Sequence, residues 1–297
     1  MSARGLAFLG LGLAIALAVA GTAAAESITL PRAVPSFNQT YTIGPDAWGD
    51  CALGTDGCPD LLRTTGCLIT AFASVLAYYD IRLAVPARHS STGTSEEGMS
   101  PRILNDWLRV RRGYGQCSQD PLGSCCLEWS DLPRGISLSF HSNRSAAGLN
   151  AVAELVIDHA LRRGSLVVAG VHWSSACRSG SSQTEDCHWV VLTGKAGGTY
   201  TIMDPYNPDH TSSAGLRTTL DAGSRGAYTI DRFVVVTRVP GDVTALNALV
   251  EPTPTVVTPV VTVPPAAQKS PLATLAALLV VLSLVAAAAF LASGTEP

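Results

Sequence analysis

The residues Thr64-Thr65-Gly66-Cys67-Leu68-Ile69-Thr70 deliver a single cysteine to the start of an amphipathic run that continues to Tyr79. At the first turn of a helix, unpaired N–H groups and the positive end of the macrodipole favour thiolate over thiol. Thiolate is the form that attacks carbonyl carbon. Far along the chain, His188 opens one β-rich run and Asp204-Pro205 closes another. In a cysteine hydrolase, an imidazole takes the thiol proton while a carboxylate fixes its tautomer and steadies the imidazolium.

Each of these residues also has a plainer reading. A lone helical cysteine usually packs as a small buried hydrophobe. Here, however, Leu68, Ala71, Phe72, Val75, Leu76 and Tyr79 share one helical face, whereas Cys67, Thr70, Ser74 and Tyr78 lie on another. His172 also precedes a tryptophan at a strand terminus and rivals His188 as the base. His89, His141, His159 and His210 read as surface or loop residues. Asp204 before Pro205 is equally an ordinary strand-ending turn signal. Trp48, Trp173 and Trp189 are candidates for a substrate groove, with core burial the competing role for at least two of them.

The elements that must position these groups follow from periodicity. One helix is expected over Gly66–Tyr79 and a second over Leu149–Arg163, stopped by Gly164. Short β-rich runs are expected at Ser165–Trp173, His188–Gly194, Thr199–Asp204 and Phe233–Arg238. Lys195-Ala196-Gly197 reads as a three-residue hairpin loop with Gly194 paired to Gly198. Counting back from that pair sets His188 opposite Asp204, with Cβ atoms about 5 Å apart. A one-residue register error would place the two on opposite faces.

The chain has 297 residues, of which 14% are charged, with a formal net charge of −3. No basic face is evident, so nucleic acid is not expected as a partner. Eight cysteines imply an oxidising compartment. Proximity suggests bridges between Cys51 and Cys58, between Cys177 and Cys187, and between Cys117 and one of Cys125-Cys126. That would leave Cys67 and one cysteine of the tandem pair. No Cys-x-x-Cys pair or matching histidine spacing occurs, and neither a metal nor another cofactor is expected.

Residues 1–25 have the layout of a secretory signal: one arginine, a Leu/Ala/Gly run, then Ala23-Ala24-Ala25. A folded domain is expected over 28–250, with an insert at about 88–135. Residues 251–271 form a Pro/Thr/Val-rich stalk. Residues 272–292 are apolar without a charge and long enough to span a bilayer as a helix, followed by a tail at 293–297. This organisation implies a domain on the extracytoplasmic side of a membrane, of unknown oligomeric state.

The order Pro35-Ser36-Phe37-Asn38-Gln39, Trp48, Gly66-Cys67-Leu68-Ile69-Thr70, His188-Trp189-Val190-Val191-Leu192-Thr193-Gly194 and Asp204-Pro205 resembles the bacteriocin-processing peptidase-like family. Its members are papain-like cysteine peptidases related to the domains that trim double-glycine leader peptides. The similarity covers roughly Val34 to Tyr206. It implies Cys67 as nucleophile, His188 as general base and acid, Asp204 as orienter and Gln39 as oxyanion-hole donor. It further implies an α+β, papain-like fold in which the helix bearing the nucleophile packs on an antiparallel sheet. The chain departs from the family at Leu68-Ile69, where members often carry Gly-Pro, and in the insert from Arg88 to Gly135. It also has no Gly-x-x-x-x-Gly-Lys-Ser/Thr phosphate loop, which argues against an attached transporter ATPase and leader-peptide export.

The expectation is a membrane-anchored, externally facing cysteine peptidase that cleaves peptide or protein substrates through a thioester acyl-enzyme. Amidase or transpeptidase chemistry runs through the same thioester. The rival from another class is a catalytically silent binding module at the cell surface. A free Cys67 favours the enzyme, and a Cys67 locked in a disulfide favours the module.

Overall fold

Long runs of Val, Ile, Leu and Ala bury both faces of the central strands. Leu166–His172 is buried throughout, as is the first half of His188–Ala196. In a computed structural model, which describes residues 27–116, 124–143, 149–173 and 188–249, these runs form the middle of a seven-stranded antiparallel sheet. Its strands are β1 (Ile28–Thr29), β6 (Ile136–Ser142), β7 (Leu166–His172), β8 (His188–Ala196), β9 (Thr199–Asp204), β10 (Leu216–Thr219) and β11 (Thr229–Arg238). The order is β10-β9-β8-β7-β11-β6, and β1 pairs with the far end of β8.

The helix bearing Cys67 is α2 (Cys67–Tyr78), preceded by the single turn α1 (Leu62–Thr65) with Gly66 between them. Helix α2 packs against β8. Thr70, Ser74 and Tyr78 are buried together with the apolar face, so the helix has no solvent face over most of its length. Ser74 satisfies its hydroxyl on the Thr70 carbonyl at 3.2 Å and also lies 3.9 Å from Met203 Sδ on β9.

The other side of α2 is covered by the insert, whose helix the sequence reading did not anticipate. It is α3 (Pro101–Arg111), flanked by β2 (Leu83–Val85) and β3 (Glu96–Gly98) on one side and β4 (Tyr114–Gly115) and β5 (Cys126–Leu127) on the other. Its start signals were present: Ser100 accepts a hydrogen bond from the Ile103 N–H at 3.2 Å, and Pro101 occupies the first turn. Leu104, Trp107 and Leu108 drive it into the core. Helix α4 (Ala151–Arg162) packs on β1 and β7, and the short α5 (Thr244–Asn247) packs near β2.

Several expectations are corrected. The α+β, papain-like class with a C-terminal transmembrane helix does not stand, because the chain is mostly antiparallel sheet with few helices. Strands β6 and β10 and the first half of β11 extend the sheet well beyond the four runs the periodicity revealed. Among the described residues no helix is long and apolar enough to cross a membrane. The signal, stalk, 272–292 and tail assignments lie outside the described residues, as does the Cys177–Cys187 bridge.

The bridge expected between Cys51 and Cys58 is also absent. Cys58 pairs with Cys125, tying the loop before α1 to the insert, and Cys51 is a free thiol. Cys126 is itself disulfide-bonded, so neither member of the tandem pair is left over.

Candidate active site

Cys67 sits where chain geometry leaves little freedom. The Gly66 N–H donates to the Leu62 carbonyl at 2.9 Å and the Thr70 N–H to the Gly66 carbonyl at 2.9 Å. The N–H groups of the intervening first turn thus precede the first closed bond of α2. Gly66 is required by space: a Cβ there would lie 2.4 Å from the Leu62 carbonyl oxygen and 2.7 Å from Leu62 Cα. Cys67 is half-buried and its thiol is free.

His188 is the first residue of β8, opposite Val171 of β7, and only 4% exposed. Its Nε2 lies 2.6 Å from Asp204 Oδ1. Cys67 adjoins the ring closely enough to favour its protonated form. With Nε2 on the carboxylate, Nδ1 is the nitrogen left for the sulfur.

Asp204 ends β9 and is fully buried. Both of its oxygens are saturated. Oδ1 accepts from the Tyr206 N–H at 2.9 Å as well as from the ring, and Oδ2 accepts from the Ser224 N–H at 3.0 Å and the Tyr228 hydroxyl at 2.9 Å. Burial works against charge on both partners. For His188 it is outweighed by the hydrogen bond to Asp204 and by the neighbouring Cys67, which raise the imidazole to about 9. For Asp204 it is outweighed by the imidazole and by Ser224, which keep the carboxyl down at about 2. The pair therefore exists as imidazolium and carboxylate at neutral pH.

Gln39 is held beside this pair by its backbone N–H, which donates to the Pro205 carbonyl at 2.8 Å. Its Nε2 donates to the Arg63 carbonyl at 3.1 Å, while its buried Oε1 has no hydrogen-bond partner among the described residues. One amide hydrogen remains for an incoming oxygen. Asn38 fixes this segment by donating to the carbonyls of Asp209 and Ser212 at 3.0 and 2.9 Å.

Gln39, Cys67 and His188 line one cavity of about 710 Å³. Its wall is strongly aromatic: Trp129 lies 5.2 Å from Phe140 and 5.7 Å from Trp189, ring centre to ring centre. Trp173 also lines it, whereas Trp48 is buried and donates to the Asn38 carbonyl at 2.7 Å. His141, read as a surface or loop residue, instead stands on β6, stacks on Phe233 at 4.9 Å and lines the cavity.

The rival base is placed elsewhere. His172 binds Asp231 through Nδ1 at 2.6 Å and is not among the cavity-lining residues. The structure thus brings Cys67, His188, Asp204 and Gln39 together and leaves His172 apart. Sequence reasoning missed Ser224, Arg225 and Tyr228, which stand in a loop without periodicity before β11. Only the Gly223 to Gly226 turn chemistry marks that stretch.

No protein-family model, curated protein or solved structure matches this chain.

Proposed function

We propose that the protein is a cysteine peptidase that cleaves peptide bonds through a thioester acyl-enzyme. The observation that carries this reading is the relay from a free thiol at a helix start, through His188, to a carboxylate with four hydrogen bonds. The proton of Cys67 is already held on His188 Nδ1 when sulfur attacks the carbonyl carbon, and the imidazolium then gives that proton to the departing amine, leaving a neutral ring. Water, deprotonated by the same ring, then releases the acyl group from sulfur. The second amide hydrogen of Gln39 and the first-turn N–H of Cys67 are the donors suited to the developing oxyanion. A cavity with aromatic walls suits an apolar peptide segment better than a phosphate or sugar.

The disulfide between Cys58 and Cys125 supports an oxidising, extracytoplasmic location. The free state of Cys67 favours an enzyme over a silent binding module.

The test uses the full chain, a library of internally quenched peptides and chloroacetamide. Parent protein should turn over a subset of peptides, and acid quenching during turnover should trap an acyl adduct on Cys67 visible by peptide mass mapping. Cys67→Ala should abolish both. Turnover that survives Cys67→Ala would remove the thiol from its role and overturn the reading.

A further inference from the structure

The loop that closes over Asp204 also carries a cation, Arg225, that rests on aromatic rings and has no carboxylate partner among the described residues. Ser224 gives its N–H to Asp204 Oδ2, and Arg225 follows it directly. The Arg225 guanidinium lies 4.3 Å from the centre of the Tyr206 ring and 5.4 Å from that of Trp173. Tyr206 is itself tied to Asp204, through its N–H to Oδ1 at 2.9 Å. Trp173 adjoins Tyr228 at 6.2 Å between ring centres, and Tyr228 adjoins the His188 ring at 5.9 Å. The two aromatic shelves under Arg225 are therefore registered on the His188–Asp204 pair.

Arg225 lines the same cavity as Cys67 and is exposed to it. Among the described residues no carboxylate forms an ion pair with it. Among the described residues lining the cavity the one carboxylate is Asp60, just before α1 in the chain. Arg225 thus makes the flank of the cleft beside the His188–Asp204 pair cationic.

Chemistry says which part of a substrate meets that flank. His188 must hand its proton to the departing amine, so the leaving segment passes on the His188 side of Cys67. A guanidinium flattened on aromatic rings keeps its N–H edge free for bidentate binding of a planar anion.

We propose that Arg225 is a specificity-determining residue that binds a carboxylate on the leaving-group side of the scissile bond. The carboxylate comes from an acidic side chain or from the free C-terminus of a short peptide. The proposal rests on the cysteine peptidase reading above and adds the substrate class.

The experiment compares the full chain with Arg225→Gln and Arg225→Lys. Matched quenched peptides carry Glu or Gln at the first leaving-side position, or end two residues beyond the scissile bond with a free or an amidated C-terminus. In the parent, kcat/KM for the carboxylate member should exceed that for its neutral twin by about 10–100-fold, the range for a hydrogen bond to a charged group. Arg225→Gln should bring that ratio close to one, and Arg225→Lys should keep part of it. A preference confined to the Glu/Gln pair assigns the ligand to a side chain, and one confined to the free/amidated pair assigns it to a chain end. A parental ratio near one, or a ratio unmoved by Arg225→Gln, overturns the proposal.

A binding arm separates this outcome from failure of the peptidase reading. Fluorescence anisotropy of the same peptides is measured on Cys67→Ala, with and without Arg225→Gln. Arg225-dependent preference for the carboxylate member, in a chain whose parent cleaves nothing, retains the carboxylate site and discards the peptidase.

Discussion

His188 and Asp204 meet at 2.6 Å although the strand register does not set them face to face. Val191 pairs with Met203, and continuing that register puts Asp204 opposite Val190, one diagonal step from His188. Side chains alternate along a strand, so an offset of two keeps both residues on one face. The diagonal approach is closed by the turn after Asp204, where the Tyr206 N–H, the Ser224 N–H and the Tyr228 hydroxyl converge on the carboxylate.

Asp204→Asn should leave the fold intact and lower kcat by about 10³–10⁴-fold, because an amide no longer fixes the imidazole tautomer or balances its charge. Tyr228→Phe removes one of four donors and should cost about tenfold or less. Steady-state kinetics on any cleaved peptide gives both numbers. Equal losses from the two substitutions would mean that Tyr228 acts on more than the carboxylate.

The same pair shows how much of the site was legible in the chain. The hairpin was expected to turn through Lys195-Ala196-Gly197, whereas it turns through Gly197-Gly198, with Ala196 paired to Thr199. Both glycines adopt positive φ, 59° and 87°, as a two-residue turn requires. That error alone slides the register by an odd number and would have sent Asp204 to the wrong face. A bulge between Leu192 and Gly194 takes back one residue and restores the parity. Gly194 permits it, with φ of 156° and the Ile28 carbonyl so close that a Cβ would lie 2.4 Å away. A bulge has no periodic signature, so the expected juxtaposition rested on two errors in count that cancel to an even offset. Cys67 was easier, since a glycine followed by strong helical periodicity marks a helix start locally. The sheet edges and the Ser224–Tyr228 loop depend on long-range pairing that no short window of sequence contains.

Titration of the pair should govern stability. His188 is raised from 6.5 to about 9, so its contribution is complete below pH 6.5 and is lost as pH rises through about 9. Asp204 is lowered from 3.8 to about 2, so its contribution is complete above pH 3.8 and is lost as pH falls through about 2. Urea midpoints should therefore peak between about pH 4 and 6.5 and decline toward pH 9. His188→Gln should flatten the alkaline decline. An identical decline in that variant would place its source outside the pair.

Gly66→Ala tests whether the junction of α1 and α2 sets the nucleophile. The new methyl meets backbone atoms of Leu62 at 2.4 and 2.7 Å, so α1 must move relative to α2. Overpacking of this kind costs about 1–3 kcal/mol, and an ångström of misplacement at a reacting group can cost about 10²-fold in rate. A lower urea midpoint and slower chloroacetamide labelling of Cys67 are expected together. Loss of stability with unchanged labelling would show that the sulfur is positioned independently of the glycine.

Gln39 separates oxyanion stabilisation from simple cleft structure. Its Nε2 spends one hydrogen on the Arg63 carbonyl, and only the other can reach a tetrahedral intermediate. Gln39→Glu preserves size while removing both donors, and Gln39→Ala removes the side chain. Each should lower kcat by about 10²–10³-fold with little change in KM, the signature of a donor used in the transition state alone. Because Gln39 is buried, thermal melts of both variants must accompany the kinetics. A rise in KM at constant kcat would reassign Gln39 to ground-state binding, and the burden of stabilising the oxyanion would then fall on the first-turn N–H groups of α2.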